Sequence, residues 1–131
     1  MEEPIVVLEI ELLPERLAVC RLDPEDGITD WDPSDGFLSL TFTDSEISVV
    51  CEEATAPADA ECERGWRCLR VDGPLGFDLV GVLASLTGPL AEAGISVFAL
   101  STYETDYLLV RSNQLDRAVG VLDEAGHFVR T

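Results

Sequence analysis

The chain has 131 residues, enough for one hydrophobic core or two half-size cores sharing an interface, and too few for two independent domains. Apolar residues make up 47% of it, while 26 acidic residues face eight arginines and no lysine, a formal net charge of −18. That hydrophobicity predicts a folded globule rather than a disordered chain, and the charge excludes the phosphate-contacting surface that nucleic acid or an anionic membrane requires.

The acids are uneven: residues 1–64 hold eighteen of them and three arginines, so the first half carries the acidic face. Attraction of a cationic ligand and plain solubility both account for this charge. Acid enrichment without lysine also resembles adaptation to a salt-rich cytoplasm. The N-terminus lacks the pattern of a secretory signal, and the most apolar span, Leu79 to Ala91, has thirteen uncharged residues, too few to cross a bilayer. A cytoplasmic protein is expected. Cys20, Cys51, Cys62 and Cys68 include no C-x-x-C pair, and are read as buried apolar fillers in a reducing compartment, Cys20 and Cys51 especially.

In chain order, residues 5–13 and 16–22 read as strands joined across Pro14, residues 23–36 as a polar loop, and 37–43 and 47–51 as two further strands. Asp44-Ser45-Glu46 between these two is a tight turn or a single helical turn. Residues 54–64 read as a linker. Residues 67–72 form a short strand ended by Gly73-Pro74, and a helix begins near Asp78, a side chain suited to cap it. Leu79, Val82, Leu83, Leu86 and Leu90 make one apolar stripe; Pro89 is expected to kink or interrupt it, and Gly94 to cap it. Strands follow at 95–101 and 106–111 around the hairpin connection 102–105. After Asn113, a candidate N-cap, Leu115, Ala118, Val119 and Leu122 repeat the helical stripe; Gly126 closes it before a last strand, 127–130. The order βαββαβ permits two helices on one face of a four-stranded antiparallel sheet.

Four segments carry a resemblance. Gly73-Pro-Leu-Gly-Phe77, Gly81-Val-Leu-Ala-Ser-Leu86, Pro89-Leu-Ala-Glu-Ala-Gly-Ile-Ser96 and Ser101-Thr-Tyr-Glu-Thr-Asp-Tyr107, with Thr41-Phe-Thr-Asp-Ser-Glu-Ile-Ser-Val-Val-Cys51 before them, resemble small ACT-domain proteins of the type related to the CASTOR arginine sensors. The resemblance implies an α+β fold of two side-by-side ferredoxin-like βαββαβ units with joined antiparallel sheets, the first (residues 1–60) reduced in helix and the second (61–131) complete. It also implies a small ligand, usually an amino acid, held between the units, and an allosteric output.

On that pattern three clusters are candidate ligand contacts. Gly76, Phe77 and Asp78 lie in the loop before the first helix, where a glycine lets backbone approach a ligand and helix N–H groups favour a carboxylate; Asp78 competes for those same donors as a cap. Ser101, Thr102, Thr105 and Asp106 form the second cluster, with Asp106 set to pair an α-ammonium group and the hydroxyls to orient it. Thr43, Ser45, Glu46 and Ile47, next to Asp44, form the third, placed across the interface, where acids suit a cationic side chain. Tyr103 and Tyr107 are read as packing residues, and the single histidine, His127, as a packing or edge-strand residue with no serine or cysteine beside it. No phosphate loop, dinucleotide fingerprint or metal-ligand spacing occurs, so neither catalysis nor a cofactor is expected. The reading is a regulatory sensor that binds an amino acid and signals in trans to an enzyme or other protein, with homodimerisation open. A ligand-free interaction or oligomerisation module is the alternative.

Overall fold

A computed structural model describes residues 6–27, 31–32, 36–73, 75 and 80–131. The protein is mixed α+β and rich in strands: β1 (Glu9–Leu22), β2 (Leu38–Phe42), β3 (Ile47–Glu52), β4 (Glu61–Val71), α1 (Val82–Glu92), β5 (Val97–Ser101), β6 (Asp106–Arg111), α2 (Leu115–Glu124) and β7 (Phe128–Arg130). It divides into two compact units, one of Met1–Pro14 with Arg67–Thr131, the other Glu15–Trp66. The sequence reading divides the chain once, after residue 60; here the N-terminal strand begins in the unit of the C-terminal half.

That difference originates in β1, which runs unbroken through Pro14 instead of forming two strands. Glu9–Glu11 pair in parallel with Phe128–Arg130 of β7, whereas Leu17–Leu22 pair antiparallel with Glu52–Ile47 of β3. Pro14 falls in the interval between those partners, the place where a residue without a backbone N–H costs the ladder least. The strand order in the unit of Arg67–Thr131 is therefore β7-β1-β4-β6-β5. The four-stranded antiparallel sheet expected there gains β1 as a fifth strand, and one of its pairings is parallel.

Two elements extend past their expected limits. β4 starts at Glu61, inside the stretch read as a linker, where Glu61, Glu63 and Arg64 are exposed and disguise the strand as loop. Glu53–Thr55, which overlaps its start, forms a single 3-10 turn. Helix α1 passes through Pro89 without interruption. It starts at Val82 after Gly81 in left-handed backbone, and the expected cap Asp78 lies outside the described residues. Helix α2 starts at Leu115, with Asn113 inside a preceding 3-10 turn, Ser112–Gln114.

The apolar stripes bury as their spacing dictates. Val82, Leu86 and Leu90 of α1 and Ala118 and Leu122 of α2 pack with Ile10, Leu69, Val71, Leu108 and Val110 in one core; each fully buried aliphatic side chain contributes about 1.5–3 kcal/mol. Both helices end alike. Gly94 N–H donates to Ala91 and Ile95 N–H to Leu90; Gly126 N–H donates to Asp123 and His127 N–H to Leu122. This double bond pattern needs a left-handed residue at its turn, and the glycines have φ of 75° and 99°. In Glu15–Trp66 the strand order is β2-β3-β1-β4, the last entering with its first half, with a smaller core of Ala18, Cys20, Ile47, Val49 and Cys51.

Within the unit of Arg67–Thr131, Arg130 of β7 holds Asp72 at the end of β4 through two 2.8 Å bonds, with Glu11 at 3.7 Å and Glu9 at 3.9 Å. Hydrogen bonding from Arg130 holds the Asp72 carboxyl below the usual carboxylate range, partly offset by desolvation. A depressed folded-state pKa contributes stability that is present above the unfolded value of 3.8 and lost as pH falls through the folded one. Asp72→Asn is expected to lower stability at neutral pH and to flatten the acid limb of an unfolding titration, the two proteins converging once Asp72 is protonated. Identical acid limbs would remove this pair from the pH dependence.

Candidate functional site

The best-built polar feature of the candidate clusters is the end of the β5–β6 hairpin. Strand pairing sets Ser101 opposite Asp106, and the Ser101 hydroxyl donates to Asp106 Oδ1 at 2.5 Å. Thr102 closes the turn: its N–H donates to Thr105 O at 2.9 Å and its hydroxyl to the same carbonyl at 3.2 Å. Thr105 is 4% exposed, and its hydroxyl donates to Val71 O at 2.6 Å. Its part is to fasten the hairpin turn to β4.

The same turn receives the start of the loop before α1. Leu75 N–H donates to Glu104 O at 2.7 Å. Gly73 lies so close that a Cβ there would come within 2.9 Å of Glu104 O and 3.1 Å of Thr105 Cβ, a contact that requires glycine for its missing side chain. Hairpin and loop thus form one clamped corner, with Ser101 exposed and Asp106 half-buried at its rim. Gly76, Phe77 and Asp78 lie outside the described residues. Tyr103 is 80% exposed on the turn, which corrects its reading as a packing residue, whereas Tyr107 is half-buried.

The third cluster belongs to the other unit, where β2 turns into β3. Thr43 Oγ1 accepts from Ser45 N at 3.3 Å and Glu46 N at 3.1 Å, and Thr43 N–H donates to Glu46 O at 2.9 Å. The segment is therefore the tight turn rather than a helical one. Arg21 donates to Ser45 O at 2.9 Å and lies 3.9 Å from Glu46, so the acid already has a cation beside it. Ile47 is 2% exposed and packs in the core.

His127 has a structural role. The ring, 4% exposed, accepts from Leu8 N–H through Nδ1 at 3.1 Å, and Nε2 lies 3.0 Å from Ser85 O. Because Nδ1 must accept, Nε2 carries the proton and donates. The histidine precedes β7 rather than lying within it.

Sequence reasoning missed a second feature of Glu15–Trp66. Cys20, at the inner end of β1, is bonded to Cys62 near the start of β4, with Cα atoms 4.1 Å apart. The filler reading therefore fails for this pair; it holds for Cys51 and Cys68, which are buried thiols. Burial raises the Cys51 thiol and pushes Cys68 up to about 12. The sequence signal was weak, since spacing along the chain says nothing of which strands meet. A cleft of about 290 Å³ is lined by Arg21, Leu22, Asp23, Asp26 and Gly27, which follow Cys20 in sequence, and by Pro57, Asp59, Ala60 and Glu61, which precede Cys62. Among the described residues no group of three or more His, Cys, Asp or Glu is placed to hold a metal ion, and no helix is long and apolar enough to cross a membrane.

Comparison with known proteins adds the following. Residues 61–124 match the family model of the ACT domain, and residues 15–59 match a model described as an N-terminal domain. The second match begins at Glu15, where the structure also divides β1 between units. The "Cytosolic arginine sensor for mTORC1 subunit 1" of Homo sapiens is 34% identical over 94 residues, covering 66% of this chain and 29% of that protein. Its Mus musculus counterpart is 40% identical over 94 residues, covering 66% and 28%. The chain thus spans less than a third of the length of these two relatives. A crystal structure from Agobacterium tumefaciens is 36% identical, covers 95% of this chain and 93% of its own, and superposes with a TM-score of 0.88. The aspartate kinase of Clostridium acetobutylicum, at 11% identity and a TM-score of 0.62 over 85% of this chain and 33% of its own, shares the fold.

Proposed function

We propose that this chain, which belongs to the ACT-domain proteins related to the CASTOR-type arginine sensors, is a small-molecule-binding regulatory module whose ligand is an amino acid. It is read as non-catalytic, cytoplasmic, and acting in trans on an enzyme or other protein. The observation that carries this reading is the clamped corner at the β5–β6 hairpin, where Ser101 orients the Asp106 carboxylate at 2.5 Å. A fixed carboxylate at a half-buried rim suits an α-ammonium group, because a charge-assisted bond is roughly twice as strong as a neutral one. Gly73, packed against the same turn without a side chain, lets backbone come close to the rest of the ligand. Regulation then needs only that the ligand bind two arrangements of the protein unequally.

Thermal melts with each of the twenty amino acids test the reading. One or two should raise the midpoint, by the equivalent of about 2.7 kcal/mol at a hundred times the dissociation constant. Asp106→Asn should abolish the shift and leave the unliganded melt intact. A shift that survives this substitution removes Asp106 from the site. A ligand-free assembly module is the second reading, favoured by β5. That strand ends the order β7-β1-β4-β6-β5 and keeps Val97, Phe98 and Leu100 half-buried. No shift with any amino acid, together with a dimer mass in solution, would select it.

A further inference from the structure

We propose that β5 pairs with the β5 of a second copy of this chain, antiparallel and two-fold symmetric about Ala99. β5 ends the strand order β7-β1-β4-β6-β5, and among the described residues its one strand neighbour is β6. Folded proteins protect such an edge by keeping it short or charged. The opposite edge of this order, β7, has three residues and ends in Arg130. β5 has five, Val97–Ser101, with neither a charge nor a proline. Its surroundings are as bare: from Val80 to Tyr103 the one charged residue is Glu92, in a chain with 26% charged residues.

The hairpin fixes which backbone groups face outward. Thr102 N–H donates to Thr105 O, which makes Thr102 and Thr105 a hydrogen-bonded pair of the ladder. Such pairs alternate along antiparallel strands, so Leu100 with Tyr107 and Phe98 with Leu109 are the next ones. The N–H and C=O groups of Val97, Ala99 and Ser101 therefore point away from β6. A two-fold axis at Ala99 sets Ala99 against the partner's Ala99, Val97 against the partner's Ser101, and Ser101 against the partner's Val97. Outward groups then meet outward groups in all three pairs. The side chains agree. Phe98 and Leu100 share one face of the strand and are half-buried; they meet the partner's Leu100 and the partner's Phe98, apolar cross-strand pairs. On the other face, Ala99 is exposed and small enough to leave room at the axis.

This self-complementarity is what makes the partner a second copy, and charge selects the arrangement. Two chains of net charge −18 repel wherever their acids come together. The hairpin acids, Glu104 and Asp106, lie at or beyond the Ser101 end of the strand. The two-fold sets the two Ser101 positions four residues apart along the ladder, about 14 Å at 3.4 Å per residue. That exceeds the screening length of ~8 Å in physiological salt. Parallel pairing would bring the two hairpins side by side. Helix α1, which leads into β5, is uncharged from Val82 to Ala91 and exposes Ala84, Gly88 and Ala91. The uncharged strand β2 also ends its order, but Asp44 follows it two residues on, and residues 1–64 hold eighteen of the acids. The pairing holds with or without an amino-acid ligand, since Ser101 keeps its hydroxyl on Asp106 while its backbone pairs.

Sedimentation equilibrium of the whole chain is the test. Pairing along five residues makes a small interface, so the mass should rise with concentration from the monomer's 14.2 kDa towards twice that. Ala99→Pro removes an outward N–H without touching the ladder to β6, and should hold the mass at the monomer value. Ala99→Asp and Ala99→Arg each set like charges across the axis and should be monomeric alone. Their equal mixture should regain the dimer, because opposite charges then meet. That mixture keeps the test valid if Ala99→Pro disturbs the fold. Phe42→Arg, at an exposed position on the β2 edge, should dimerise like the parent. A parent that stays monomeric throughout the series overturns the proposal. So does a dimer that survives in Ala99→Pro, one lost in Phe42→Arg, or a mixture of the two charged variants that stays monomeric. Melts with amino acids decide the ligand separately, whatever the mass.

Discussion

Reduction of Cys20–Cys62, or Cys62→Ser, is expected to lower the unfolding free energy of the Glu15–Trp66 unit by about 4 kcal/mol. The bond closes a loop of 42 residues, and the chain-entropy relation gives about that figure for a loop of this size at 25 °C. The effect should be large relative to the whole. A unit of roughly 50 residues buries a smaller fraction of its surface than a full-size domain and has little stability to lose, and its core here is five buried side chains from β1 and β3. Urea titration of the oxidised and reduced forms measures it. The reduced form should show an earlier midpoint and a larger slope, since its unfolded chain is free to expose more surface. The slope separates loss of a crosslink from a packing defect: Cys51→Ser, also in this core, should move the midpoint and leave the slope alone. Coincident curves for oxidised and reduced protein would show that the bond constrains nothing in the unfolded chain.

What the sequence disclosed, and what it hid, follows from how local each signal is. Gly94 and Gly126 were legible as helix ends because each closes an apolar stripe and alone suits the left-handed turn. The 102–105 hairpin was legible because apolar runs flank a polar turn. The first half of β4 was not, since Glu61, Glu63 and Arg64 look like loop until strand neighbours are known. The double membership of β1 was hidden for a similar reason: no local feature of residues 9–11 announces a partner more than a hundred residues away at Phe128–Arg130. The Cys20–Cys62 bond depends on the same long-range placement. At the candidate site, residue type pointed to the hairpin and the Thr43–Ile47 turn. Only the structure tells the exposed Ser101 from Thr105, whose hydroxyl is committed to Val71 O, and a turn acid from the core residue Ile47 beside it.

His127→Leu is expected to destabilise the unit of Arg67–Thr131 by about 2–5 kcal/mol, because it strands two backbone groups that the imidazole satisfies together. Leu8 N–H loses its acceptor at Nδ1, and Ser85 O loses the donor at Nε2. The second loss is conditional on Pro89. In an uninterrupted helix Ser85 O would accept from the N–H four residues on, which is position 89, and proline has none. The histidine, delivered by the turn that ends α2, thus supplies a donor that α1 lacks, which explains how the helix runs through Pro89 without the expected break. Pro89→Ala restores the missing N–H. In that background His127→Leu should cost about 1–2 kcal/mol less than in the parent, leaving the Leu8 term alone. Four urea titrations, of the parent, the two single variants and the double variant, give this coupling directly. Additive effects would mean that Ser85 O gains nothing from the ring, and α1 would then need some other reason for tolerating its proline.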